Sequence, residues 1–183
     1  IITSPVDVYF KEGFNPIKLY VEEEYVRAAN GGVGEAKTSG NYAASLLPAT
    51  NAKKQGFTQV LWLDAKEHKY IEEVGTMNIF FAIDNVLITP QLSGSVLAGI
   101  TRKSVLELAK QMGLKVEQRK VSIDEIIVAA KDGSLSEAFG AGTACVISPI
   151  GEIYYKSENV KISDCSGEFA TKFYSQITGL QYG

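Results

Sequence analysis

The sequence predicts a mixed α/β domain, with a β-rich centre and flanking helices. Three observations carry that expectation. Short runs rich in β-branched and aromatic residues recur through the first half; amphipathic helical stripes follow from Ser104 onward; and no internal repeat or low-complexity linker divides the chain. At 183 residues and 45% hydrophobic composition, the chain suffices for one well-cored domain and is short for two. Residues 1–183 are therefore expected to form a single domain.

Residues 7–10 and 17–21 are two β-rich runs separated by Gly13 and Pro16. A glycine-rich bend follows, and Ser39 or Asn41 is placed to cap a helix running from about Tyr42 through Leu47, with Pro48 either kinking it or sitting where packing forgives it. Residues 58–63 are apolar enough for a strand buried on both faces. After a polar turn at 64–68 comes a long β-type run, 69–83, broken at Gly75; Asp84-Asn85 then turn it into a return strand at 86–88. From Ser104 the period becomes helical, with Val105, Leu108, Ala109 and Met112 on one stripe and Gly113 as the stop. The segment before it, 97–102, presents free amides and a threonine hydroxyl at that helix's start, a phosphate site in the making. A strand at 114–121 leads to Ser122-Ile123-Asp124-Glu125, a capping box opening a helix that stops at Gly133. Small residues at 138–144 form a second bend into a strand, whose hairpin partner is expected at 152–155. Phe169, Phe173 and Ile177 mark a last amphipathic helix.

Charge and cysteine content exclude several classes. Eighteen basic and 21 acidic residues are interspersed, for a net charge of −3, so there is no electrostatic footprint for nucleic acid or an anionic membrane. No apolar run approaches the roughly 20 residues of a membrane span, and no signal-peptide pattern opens the chain. Cys145 and Cys165 support neither a disulfide scaffold nor a zinc site, so no metal is expected, and a reducing, cytoplasmic compartment fits. The start at Ile1, without a methionine, suggests a piece cut from a longer polypeptide.

The chemistry centres on Gly31 to Tyr42, where glycines at 31, 32, 34 and 40 surround one lysine, Lys37. Such a bend has two uses. It can cradle a phosphate, although the spacing is not that of a P-loop; or it can hold a partly desolvated lysine of depressed pKa that forms a Schiff base with an aldehyde cofactor. The adjoining helix N-terminus would push the amine the same way. Other candidates have plain structural readings beside them. Tyr42 also suits a core aromatic; Glu73 also suits a strand-edge charge facing water, and Glu72, on the opposite face of the strand, competes for its role; Thr101 also suits a helix cap; Thr76 and Thr143 also suit ordinary strand positions. Arg102 is expected to be solvated, and His68, the only histidine, sits in a polar turn away from any chemistry.

Five segments in order bring these together: Gly-Gly-Val-Gly-x-x-Lys-x-x-Gly-Asn-Tyr (31–42), Gln-Val-Leu-Trp-Leu (59–63), Glu-Val-Gly-Thr-Met-Asn (73–78), Leu-x-Gly-Ile-Thr-Arg (97–102) and Phe-Gly-x-Gly-Thr-Ala-Cys (139–145). Together with the final Gln-Tyr-Gly they resemble the branched-chain amino acid aminotransferases, pyridoxal 5'-phosphate enzymes of fold type IV. The resemblance implies the D-amino acid aminotransferase-like fold. It also implies that residues 1–183 are the large carboxy-terminal domain of a longer enzyme, whose small amino-terminal domain supplies an arginine to the phosphate and part of the substrate pocket.

Residue by residue, the resemblance implies that Lys37 carries the Schiff base and shuttles the proton, that Tyr42 bonds the cofactor's phenolic oxygen, and that Glu73 pairs with its ring nitrogen. The amides of Ile100 and Thr101, with the hydroxyls of Thr101 and Thr143, would hold the phosphate; Thr76 and the Ala144 amide would lie near the substrate carboxylate. It further implies transfer of an amino group from leucine, isoleucine or valine to 2-oxoglutarate, in a homodimer. The alternatives are a D-amino acid transaminase or an aminodeoxychorismate lyase on the same fold, or a catalytically silent domain. Ser148 stands where some members carry a second cysteine, so a dithiol switch with Cys145 is not expected.

Overall fold

The computed structural model describes residues 2–3 and 13–183; the strand expected at 7–10 lies outside them. Among the described residues the centre is one curled sheet. Strand β1 (Ile17–Val21) lies between β2 (Gln59–Leu63) and β8 (Val146–Tyr155), parallel to both, and β3 (Ile71–Val74) edges β2 antiparallel. On the other side β8 pairs with β7 (Leu135–Gly142), followed by β4 (Asn78–Ile83), β5 (Val86–Pro90) and β6 (Lys115–Arg119); β9 (Glu158–Lys161) folds back on the end of β8. The two edges meet. The Ile71 amide donates to the Val121 carbonyl (2.8 Å) and the Ile123 amide to the Lys69 carbonyl (2.9 Å), so the sheet nearly closes on itself.

Strand alternation sorts the core. Ile79 and Phe81 of β4 join Leu19, Leu61, Ile88 and Ile153 on the face covered by α3 (Ile123–Asp132); Phe80 between them turns outward to Phe139. That outer face is covered by α2 (Ile100–Gln111) and α4 (Glu168–Tyr182), with the Phe139 ring 5.2 Å from Phe80 and 5.7 Å from Phe173. Trp62 and Val60 pack separately under Ala52 of α1 (Ser39–Lys54).

Four details differ from the sequence expectation. Helix α2 starts at Ile100, not Ser104, because Gly99 is extended and lets the helix begin at once. The N-cap of α1 is Thr38, without a side-chain cap; Asn41 instead donates backward to the carbonyls of Val33 (2.8 Å) and Ala36 (2.9 Å) and ties the glycine bend to the helix. Residues 138–142 are strand rather than bend, and 146–155 form one continuous strand whose hairpin partners are β7 and β9. Pro149 sits inside that strand opposite Phe139, where the ladder tolerates it. Arg102 is buried, donating to the Pro90 carbonyl and Gln118 Oε1 at 3.0 Å each, so it fastens α2 to β5 and β6 rather than facing water.

The last helix is held by a charge from the sheet. Buried Glu137 of β7 accepts the amides of Phe169 (2.9 Å) and Ala170 (3.1 Å) in the first turn of α4. Glu137→Ala removes both bonds and is expected to cost roughly 2–3 kcal/mol, which calorimetry would read as a Tm lowered by about 5–10 °C.

Candidate functional site

Three segments converge at one edge of the sheet. The first is the glycine bend at 31–37, which a chain of turns carries directly into α1. Gly34 is there for closeness: a Cβ at that position would lie 2.5 Å from the Ser95 carbonyl oxygen and 2.6 Å from the Ala28 Cβ. The second is the turn between β3 and β4, where Gly75 has a φ of +56° and a Cβ would meet the Gln59 side chain at 2.1 Å. The third is the start of α2, whose first amides have no partner within the helix.

A cleft of about 180 Å³ lies between them, lined by Lys37, Thr76, Asn78, Ile100, Thr101 and Thr143. Thr76 and Leu97 also border a narrow recess that holds Tyr42, Glu73 and Arg27. Seven of the eight expected residues thus border these two hollows, which share Thr76 and Leu97. Ala144 follows Thr143 in the exposed turn between β7 and β8 and is outside the lining. Val146, which opens β8 two residues on, has φ +59°, a strained conformation for a β-branched residue.

Lys37 is exposed and stands over Tyr42, its Nζ 5.3 Å from the ring centroid. The desolvation expected of the bend is therefore not supplied by the described residues. Lys37 does sit two residues before α1, as expected.

Glu73 is the opposite case, with its side chain only 3% exposed. Its Oε1 accepts the Leu97 amide (2.7 Å) and, at 3.4 Å, the Asn78 amide group, which is held by a 2.8 Å bond to the Leu97 carbonyl. Its Oε2 lies 3.1 Å from the Arg27 Nε, an ion pair whose angle falls short of a hydrogen bond. Burial pushes the Glu73 carboxyl up to about 7, against the pull of Arg27 and the Leu97 amide; Glu72 adds to the rise and Lys37, across the hollow, opposes it. A carboxyl raised in this way can take up or release its proton as a cation approaches or leaves.

Glu72 points the other way, as strand alternation requires. It is buried on a separate hollow of about 210 Å³ with Asp64, Tyr70 and Arg119, accepts a bond from Ser95, and is raised by burial. Arg27, Asn41 and Asn78 are the residues that sequence reasoning did not assign to the site. The signal for Arg27 was a basic residue placed shortly before the glycine bend; nothing local marked Asn78 beyond its place in the Glu-Val-Gly-Thr-Met-Asn motif. Cys145 is free, its thiol pushed by burial up to about 11. Among the described residues no group of three or more histidine, cysteine, aspartate and glutamate side chains gathers to hold a metal, and no helix is long and apolar enough to cross a membrane.

The donor set fits an aldehyde-bearing phosphate ester with a basic ring nitrogen. An amine stands at one wall and a carboxyl in the recess. Free amides with two threonine hydroxyls stand at the far end, where a phosphate is best held.

Comparison with known proteins agrees in kind. Residues 8–153 match the family described as amino-transferase class IV. The chain is 57% identical over 184 residues to branched-chain-amino-acid aminotransferase 2 of Bacillus subtilis, covering 100% of this chain and 51% of that protein. It is 56% identical over 185 residues to the probable branched-chain-amino-acid aminotransferase of Staphylococcus aureus strain N315, covering 100% and 52%. The chain therefore spans about half the length of these curated relatives. Its fold is similar to the branched-chain amino acid aminotransferase of Escherichia coli, with a TM-score of 0.83 at 29% identity over 97% of this chain and 55% of that one. The corresponding enzyme of Thermoproteus uzoniensis, solved with norvaline, gives 0.80 at 25% identity, covering 98% and 56%.

Proposed function

The chain belongs to the amino-transferase class IV family, and from that membership we propose that it forms the pyridoxal-phosphate-binding domain of a branched-chain amino acid aminotransferase. The amino group of leucine, isoleucine or valine is passed to 2-oxoglutarate, in a cytoplasmic homodimer whose small amino-terminal domain completes the pocket. What supports this most is that Lys37 and Glu73 line two hollows that share Thr76 and Leu97 as a common border.

Pyridoxal phosphate, when bound, supplies an aldehyde carbon for the incoming amine and a ring that draws electrons from the substrate α-carbon. The protein's part is placement and proton movement. Lys37 would hold the aldehyde carbon, and its Nζ, once free, would accept the α-proton and give it back, the role of a general acid and base. Glu73 sets a negative charge opposite the ring nitrogen, and the Tyr42 hydroxyl donates to the phenolic oxygen. The amides of Ile100 and Thr101 with the hydroxyls of Thr101 and Thr143 hold the phosphate at the start of α2. Thr76 and the Ala144 amide stand at the substrate carboxylate, and the exposed Lys37 is desolvated by the domain that covers it.

The test is a transfer assay on a polypeptide of the relatives' length carrying these 183 residues, with pyridoxal phosphate, 2-oxoglutarate and single amino acids. Glutamate formed from leucine, isoleucine and valine, and not from D-alanine, is the expected result. Transfer from D-alanine alone would move the assignment to the D-amino acid enzymes of the same fold, and no transfer from any donor would leave a silent domain.

A further inference from the structure

We propose that Arg27 is a positioning residue that couples the bend carrying Lys37 to the carboxyl of Glu73, so that one buried guanidinium fixes both sides of the hollow. The use made of Glu73 rests on the function proposed above; the coupling itself is a property of this chain's own residues.

The guanidinium reaches three separate segments. Its Nε stands 3.1 Å from Glu73 Oε2 at the end of β3, and its Nη2 donates to the Gly34 carbonyl (3.1 Å) and to the Ser95 carbonyl. Gly34 lies three residues before Lys37, and the bend is seated on the Ser95 segment so closely that no side chain fits at 34. Asn41 holds the far end of the bend through Val33 and Ala36. Lys37 is exposed, so its own packing cannot fix it; the backbone on either side must. Of the two groups that do so, Arg27 is the one that also bears a charge.

That charge matters to Glu73. The groups facing its carboxyl are Arg27 and Lys37, which favour the ionised form with the Leu97 amide, and Glu72, which opposes it together with burial. Arg27 is the cation buried beside it. Removing the guanidinium leaves Glu73 with an acidic neighbour in a desolvated recess, where it stays protonated and cannot face a positive ring nitrogen. A purely structural ion pair would need no link to the bend. Here the planar fork divides its donors between a carboxylate and two carbonyls, which a lysine ammonium on a flexible stem cannot reproduce.

The test uses the full chain without cofactor, as wild type, Arg27→Gln and Arg27→Lys. Carboxyl 13C NMR follows the titration of Glu73, and limited proteolysis under native conditions follows the bend at 31–38. Arg27→Gln is expected to raise the Glu73 midpoint by about one pH unit or more and to speed cleavage of the bend by about tenfold. Arg27→Lys is expected to keep the midpoint near that of the wild type while the bend is still cleaved faster. An unchanged midpoint in Arg27→Gln, or a bend as protected in both variants as in the wild type, overturns the coupling. Should Arg27→Gln fail to fold, Arg27→Lys decides alone, and wild-type protection of its bend overturns the proposal. Neither readout involves pyridoxal phosphate or transfer, so loss of the functional assignment would show in the transfer assay and not here.

Discussion

Lys37→Ala is expected to lower amino-group transfer by about 10⁴-fold, the upper end of what a positioned acid and base supplies, while leaving the fold almost untouched. The two halves of that outcome have separate causes. Nζ is the proposed proton carrier, and among the described residues no other lysine lines these hollows. Lys37 is exposed, and its Nζ stands 5.3 Å from the Tyr42 ring centroid, an interaction worth about 0.5–1 kcal/mol at such a site. Steady-state kinetics and a thermal melt on the same preparation read both. A variant that kept a tenth of the wild-type rate would remove Lys37 from the chemistry; one that failed to fold would give the lysine a structural role that its exposure argues against.

Glu73→Gln is expected to have the next largest effect, and it acts on both activity and stability. Gln takes away the negative charge opposite the ring nitrogen and leaves the Arg27 guanidinium buried without its counter-charge. Breaking one side of a buried pair costs about 3–5 kcal/mol of folding stability; separately, loss of the charge opposite the ring nitrogen is expected to lower kcat/KM by roughly 10²–10³-fold.

The pH dependence follows from the direction of the shift. Burial, the largest influence on Glu73, raises its carboxyl from the usual 4.5 to about 7. Between those values the folded chain keeps a proton that the unfolded chain has released. Unfolding free energy from this group is therefore full below pH 4.5 and is lost as pH rises through 7, by roughly 3 kcal/mol. In Glu73→Gln that part of the slope disappears. Glu72, raised in the same direction, keeps its own share. Urea melts at closely spaced pH values would show the flattening between pH 5 and 7, and an unaltered slope would mean that Glu73 is ionised throughout.

What could be read from the sequence was what local chemistry determines. Ser122 accepts the Glu125 amide and Gly133 closes α3 at φ +85°, because a capping box and a left-handed glycine act within a few residues. Asp84 and Asn85 turn β4 into β5 at φ +47° and +62° for the same reason. The glycine bend and the start of α2 carry local signatures, whereas the choice of Glu73 over Glu72 rested on the resemblance. What escaped was long-range. The pairing of β7 with β8 depends on partners chosen across the sheet, so small residues at 138–142 resembled a bend although they lie flat against Met77 and Val74. The burial of Arg102 depends on Gln118 and Pro90, and that of Arg27 on Glu73 and Ser95, neither of which is visible from neighbours in the chain. Asn41, like Ser39, suits a cap by its position in the chain, but its side chain bonds the bend instead.

The central claim is that the amine at 37 and the carboxyl at 73 hold one cofactor between them. It is tested most directly by adding pyridoxal phosphate, reducing with borohydride and mapping the modified lysine by peptide mass, in wild type and in Lys37→Ala. The expected result is a single modified peptide containing residue 37, absent from the variant. Equal modification of Lys53, Lys66 and Lys103, unchanged in the variant, would contradict it.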